Sequence, residues 1–235
     1  MNNDDIKSNI VEGIKDGFPI FLGYFTTALA FGLLTRTSGL RFIEGLAVSM
    51  TSYSGSGQFL MMNLYNAGAF LLEIAISVFF LNSRYMFMAS SLYTRLENPK
   101  KIWGRIMCGF GTTDEVFAVA ALKGKKLKYS YMAGLIFTSY SGWVSGTAIG
   151  FLSGMFLPEV IQKASVITVY AMFASLLGSE CRKNIKGLLV MVVSGGLNSI
   201  LILALGVSTG VSFLISMLCA TIFGAIIYSD KEAGV

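Results

Sequence analysis

Long apolar runs alternate with short polar links along most of this chain. The runs cover about residues 17–35, 44–66, 68–93, 106–122, 129–156, 164–178, 187–205 and 209–228. A run of ~20 apolar residues is the length that crosses a bilayer as a helix, so the pattern predicts membrane helices from residue 17 onward. Periodicity adds little, because a helix in lipid is apolar most of the way round. Two runs have polar centres. Thr51-Ser52-Tyr53-Ser54-Gly55-Ser56-Gly57-Gln58 lies in the middle of run 44–66, and the same five letters recur as Thr138-Ser139-Tyr140-Ser141-Gly142 in run 129–156. Hydrocarbon makes such groups expensive unless a partner or a wet cavity satisfies them.

The recurrence belongs to a wider internal match. Gly23-Tyr24-Phe25-Thr26-Thr27 matches Gly109-Phe110-Gly111-Thr112-Thr113, and the segment from Tyr85 to Leu92 resembles that from Tyr170 to Leu177; the three offsets are 86, 87 and 85 residues. This spacing predicts an all-α, polytopic membrane protein of two three-segment repeats and two further helices. Its expected divisions are a polar segment 1–16, repeat unit 17–93, a basic cytoplasmic loop 94–105, repeat unit 106–179, and two C-terminal helices with a short tail over 180–235. If the first segment of each unit dips in and returns, six helices span and two are re-entrant, with both termini cytoplasmic. Sixteen of the 18 Lys and Arg then lie on the cytoplasmic side, all but Arg84 and Lys163, as the positive-inside rule asks. Pro19, Gly23, Gly109 and Gly111 suit broken backbone there. The alternative is seven or eight spanning segments in inverted repeats, which puts loops 94–105 and 123–128 on opposite sides.

Composition agrees with a membrane protein. Of 235 residues, 54% are hydrophobic and only 13% charged, against roughly 25% charged in soluble domains. Residues 1–16 lack the features of a cleaved signal, so the first apolar run is expected to stay. The net charge of +5 resides in short loops and is no sign of nucleic-acid binding. The three cysteines lack metal or redox spacing. With no histidine and no lysine in mid-segment, Ser-His and Ser-Lys catalysis are excluded, and an enzyme is not expected. No Gly-x-x-x-x-Gly-Lys-Ser/Thr loop is present, so transport would draw on an ion gradient; no cofactor is expected.

Few ionisable residues lie within the runs, which makes each a candidate. Arg84 follows Asn82-Ser83 in the third run, Asp114-Glu115 sits in the fourth, and Glu73 lies near the start of the third, where snorkelling accounts for it equally well. Arg84 could bind a substrate carboxylate or pair with Asp114. Asp114 or Glu115 could meet an ammonium or carry a coupling proton. Tyr53, Ser54, Gly55 and Gln58 are candidate site-lining residues, through side chains and unwound backbone; Trp143, after the second copy, is a further candidate. Close helix packing is the competing use of these small and hydroxylated residues.

Several of these motifs together resemble the AzlC family, large subunits of branched-chain amino acid permeases. They are Gly17-Phe18-Pro19, Phe31-Gly32, Tyr53-Ser54-Gly55-Ser56-Gly57-Gln58-Phe59, Asn82-Ser83-Arg84-Tyr85, Thr113-Asp114-Glu115-Val116-Phe117-Ala118 and Ser141-Gly142-Trp143-Val144-Ser145-Gly146. One position departs: after the arginine the family often has histidine, and here Tyr85 stands. The resemblance implies a multi-pass plasma-membrane transporter that moves valine, leucine or isoleucine outward. It also implies a small hydrophobic AzlD-type partner subunit. A channel-like pore, or a scaffold subunit of a two-component permease for other small zwitterions, is the alternative.

Overall fold

The computed structural model describes residues 3–97, 102–123, 126–154, 156 and 185–229. The described residues are helical, with no strand among them: α1 (Asn3–Thr37), α2 (Phe42–Thr51), α3 (Gly55–Asn66), α4 (Leu71–Thr94), α5 (Ile102–Gly111), α6 (Asp114–Leu122), α7 (Tyr129–Ser153), α8 (Ile185–Leu203) and α9 (Thr209–Ser229). Among the described residues, four stretches are long and apolar enough to cross a membrane: Asp5–Thr37, Leu71–Thr94, Ile185–Leu203 and Thr209–Ile227. The run expected at 164–178, the repeat match at Tyr170, and Cys181 lie outside the described residues. The chain divides into two compact units. One is Met1–Phe59 with Phe80–Val166, the other Leu60–Phe79 with Ile167–Val235.

The first unit is built on α1 and α7, which lie side by side and run parallel. Gly13 on α1 meets the backbone of Tyr131 on α7, Gly142 meets Phe21, Gly32 meets Thr147, and Gly150 meets Leu29. A methyl group at any of these would strike backbone, and small residues of this kind are what let two helices in lipid approach. Residues 13 and 131 mark one end of the pair; residues 32 and 150 lie toward the other.

Two V-shaped breaks are set against this pair. Gln58 on α3 reaches Val48 O on α2 at 3.4 Å and also donates to Ser52 O. In one straight helix those residues stand about 15 Å apart, so α2 and the first turn of α3 fold back on each other. α2 starts beside the far end of α7, where Phe42 meets Phe151, and its tip is the 52–54 break. The second V is α5 and α6, with Thr112-Thr113 between them. Gly104 near its start packs on Tyr129, and Ala121 O near its finish accepts from Arg95 at 3.0 Å. Both arms therefore begin and end at the near end, where a short bridge joins Leu96 to Leu127.

These elements correct the expected placement of the re-entrant segments. α1 is one unbroken helix, with Pro19 inside it, so the first run does not dip and return. Pro19 forfeits a single backbone bond, which a helix packed against a close neighbour tolerates. Run 44–66 carries the break instead. Arg36 and Arg41 consequently sit at the far end, while Lys7, Lys15, Arg95, Arg105, Lys123, Lys126 and Lys128 collect at the near end. The internal match does not carry over into shape either. Gly23 to Thr27 is helical where Gly109 to Thr113 breaks, and Thr51 to Gly55 breaks where Thr138 to Gly142 is helical.

The second unit contains the α8–α9 hairpin, closed by Lys186 Nζ on Ile227 O and by Ser212 Oγ on Asn198 Oδ1 at 2.7 Å. Glu73 caps the start of α4, accepting from Phe70 N at 3.1 Å, and accepts from Ser208 Oγ at 2.7 Å.

Candidate functional site

The two breaks meet beside the second half of α4. Ser54 ends the first break: its hydroxyl accepts from Gly57 N at 3.2 Å, capping α3. The same hydroxyl donates to Asn82 Oδ1 at 2.7 Å. Thr113 caps α6 in the same way, accepting from Val116 N at 3.3 Å. Asp114 and Glu115 therefore stand in the first turn of α6, where the helix dipole favours carboxylates.

Arg84 and Tyr85 join the two tips. Arg84 Nη2 pairs with Asp114 Oδ2 at 2.8 Å, and the two side chains are 42% and 39% exposed. The same nitrogen reaches Ser56 Oγ at 3.1 Å and Tyr85 OH at 3.3 Å. Tyr85 OH lies 3.5 Å from Ser54 Oγ and donates to Asp114 Oδ2 at 3.4 Å. These three polar contacts all use one nitrogen. Its Nε is buried and meets no acceptor among the described residues. A planar guanidinium with a spare N–H has the fork geometry that binds a carboxylate through two parallel hydrogen bonds.

Tyr53, Gln58 and Trp143 have a different setting. Gln58 is buried, accepting from Trp143 Nε1 at 3.1 Å while donating to Ser52 O. Gly55 faces the edge of the same indole. Both ends of the amide are thus engaged in holding the break. Tyr53 is buried among rings, stacked on Phe110 at 6.2 Å and edge-on to Tyr24 and Tyr140 at 5.9 and 5.2 Å. With Phe110 and Tyr140 it makes an aromatic wall.

Ser54, Asn82, Arg84 and Asp114 therefore form one network. Gln58 and Trp143 form a buried brace on which Gly55 packs, and Glu115 accepts from Tyr24 OH. In the sequence Tyr24 is marked only as one letter of the internal match. Its hydroxyl also lies 2.6 Å from Thr113 Oγ1 and its ring edge-on to Trp143 at 5.5 Å, so it touches both tips and α7. Ser56 was likewise legible only as part of the polar run. The described residues contain no cluster of three metal-ligating side chains.

The family model described as AzlC protein matches residues 19–157. That span contains both breaks, Arg84, all of α7 and the second half of α1. The chain belongs to the AzlC family. It is 35% identical to an uncharacterized membrane protein of Archaeoglobus fulgidus, over 79% of this chain and 80% of that one. It is 33% identical to the inner membrane protein YgaZ of Escherichia coli, over 76% of each. The branched-chain amino acid transport protein AzlC of Bacillus subtilis is 25% identical over 64% of this chain and 61% of its own. No solved structure matches. With four apolar helices of spanning length among the described residues, this AzlC-family chain is a membrane protein.

Proposed function

We propose that this chain is a secondary transporter of hydrophobic amino acids, valine, leucine and isoleucine, moving them outward across the cell membrane in exchange for protons. The observation that carries the reading is the Arg84–Asp114 pair at the meeting point of two broken helices, with Arg84 Nε still free to donate. A substrate carboxylate would take the guanidinium. Asp114, released, would meet the ammonium or accept a proton, and Glu115, held by Tyr24, would be the second acid in reach. The Tyr53–Phe110–Tyr140 wall offers apolar surface for an aliphatic side chain. The name of the Bacillus subtilis relative, a branched-chain amino acid transport protein, supports this substrate class. The near end, with seven of the nine described Lys and Arg outside the site and second unit, would face the cytoplasm. A small hydrophobic AzlD-type subunit would complete the permease.

The test is efflux of valine and leucine from cells making the chain with and without the candidate small subunit. Asp114→Asn and Glu115→Gln, at normal membrane levels, are expected to lose the pH dependence of efflux. Unchanged efflux and pH dependence in both variants would remove the carboxylates from the mechanism. Efflux by the chain alone would exclude a scaffold role.

A further inference from the structure

α1 carries Tyr24 to the second break, where its hydroxyl meets two partners with a single proton to give. It donates to Glu115 Oε2 and lies 2.6 Å from Thr113 Oγ1. The ring is held in place, edge-on to Trp143 at 5.5 Å and to Tyr53 at 5.9 Å. What can change is the direction of the hydrogen bonds, because a phenol and a hydroxyl each donate once and also accept.

Glu115 sets that direction. An ionised carboxylate only accepts, so the phenol proton points to Glu115. The Thr113 hydroxyl then donates to the Tyr24 oxygen, while its lone pairs receive Val116 N at 3.3 Å. The bonds run one way, from Val116 N–H through Thr113 and Tyr24 to Glu115, and in such a chain each bond polarises the next. A protonated carboxyl has a hydrogen of its own to give. Pointed at Tyr24, it turns the phenol proton to Thr113 Oγ1. That oxygen then receives from Tyr24 and from Val116 N together, and its own proton has to find another acceptor. The chain is interrupted at the residue that caps α6. Thr113 is 3% exposed and Val116 is fully buried, so bulk water does not repair it.

The charge itself acts in the same sense. Glu115 stands in the first turn of α6, where a carboxylate steadies the helix dipole and a neutral acid does not. Tyr53, from the first break, also lies in reach of this charge. Asp114, next to Glu115 on α6, is turned to Arg84 and Tyr85 of α4. The start of α6 thus carries both the acid that Tyr24 contacts and the carboxylate that pairs with Arg84.

We propose that Tyr24 is a positioning residue, a hydrogen-bond relay that passes the protonation state of Glu115 to the Thr113 cap, holding the start of α6 while Glu115 is ionised and loosening it when Glu115 is protonated. The relay deepens the transport reading and rests on it for the use of Glu115 as an acid. Infrared difference spectroscopy of the purified full chain in lipid vesicles, with isotope-labelled tyrosine, tests it. The Tyr24 phenol band is the one missing from Tyr24→Phe, and the Glu115 acid band is the one missing from Glu115→Gln. On acidification the Tyr24 band is expected to move as the Glu115 acid band grows in. The movement is expected to be absent from Glu115→Gln and kept in Thr113→Ser. In Thr113→Val the phenol has no second acceptor, so the acid position of the band should be lost. A Tyr24 band that stays put as Glu115 is protonated, that still moves in Glu115→Gln, or that moves unaltered in Thr113→Val would overturn the relay, as would the lack of any Glu115 acid band. The spectra need no substrate, so a failed efflux assay leaves them readable, and an unmoved Tyr24 band leaves the transport reading standing.

Discussion

Thr51 to Gly55 and Thr138 to Gly142 have the same five residues and opposite structures. The first ends one helix and starts another; the second is an uninterrupted part of α7. Their hydroxyls explain how each state is satisfied. In α7, Ser139 donates to Leu135 O and Ser141 to Thr138 O, both back along their own helix. Gly142 meanwhile presses on the backbone of Phe21. In the broken copy Ser54 donates outward to Asn82, and Gln58, which the second copy lacks, bonds Ser52 O. Small polar residues thus permit either close packing or a break. What lies opposite decides: an α1 backbone in one case, Asn82, Trp143 and an amide three residues onward in the other.

If the broken copy serves the site and the helical copy serves packing, substitutions around them should separate transport from stability. Arg84→Gln removes the group that joins the two tips. Transport by purified protein in vesicles is expected to fall at least about 100-fold, the loss of one charge-assisted carboxylate contact of ~2.7 kcal/mol. The melting temperature in detergent should hardly change, because the pair is half exposed and such ion pairs contribute little. A matching collapse in melting temperature would make Arg84 structural instead.

Gly142→Ala should do the reverse. Its new methyl would lie 2.7 Å from Phe21 O, and overpacking of this kind costs about 1–3 kcal/mol, only partly offset by better helix propensity. Gly55→Ala first meets the Trp143 ring edge, at 3.0 Å, rather than backbone and is expected to cost less than half as much in thermal unfolding. Equal losses would show that both copies pack alike.

Gln58→Leu tests the brace. It strands the buried Trp143 Nε1 donor and is expected to cost about 1–3 kcal/mol, with the indole emission shifting as its hydrogen bond is lost. The smallest contrast is between two serines. Ser141→Ala removes a hydroxyl bonded within its own helix, so unfolding should move by no more than about 0.5 kcal/mol. Ser54→Ala removes the α3 cap, worth ~1 kcal/mol, and is expected to lower transport as well.

Much of the site was visible in the residues. Arg84, Asp114 and Glu115 stand out because ionised groups are rare in membrane segments, and their pairing follows from opposite charge. Tyr24 does not stand out: one tyrosine among ten has no local feature to mark it. Its role comes from α1 carrying it between the two breaks. Gln58 was conspicuous for its polarity, but only its neighbours show that both ends of its amide are occupied.

The sequence by itself determined the class of protein, the helices and the few charged groups they enclose, because hydrocarbon penalises every unpaired polar group and so forces a recognisable composition. It also carried enough specific motifs to place the chain in its family. Which segment breaks was decided by tertiary structure. Pro19 and Gly23 sit in an unbroken helix, and Thr51 to Gly55 breaks where its twin does not. Local residues set only the cost of bending a helix. Whether the bend occurs depends on the partner that receives the freed backbone groups, and that partner lies far away in the chain.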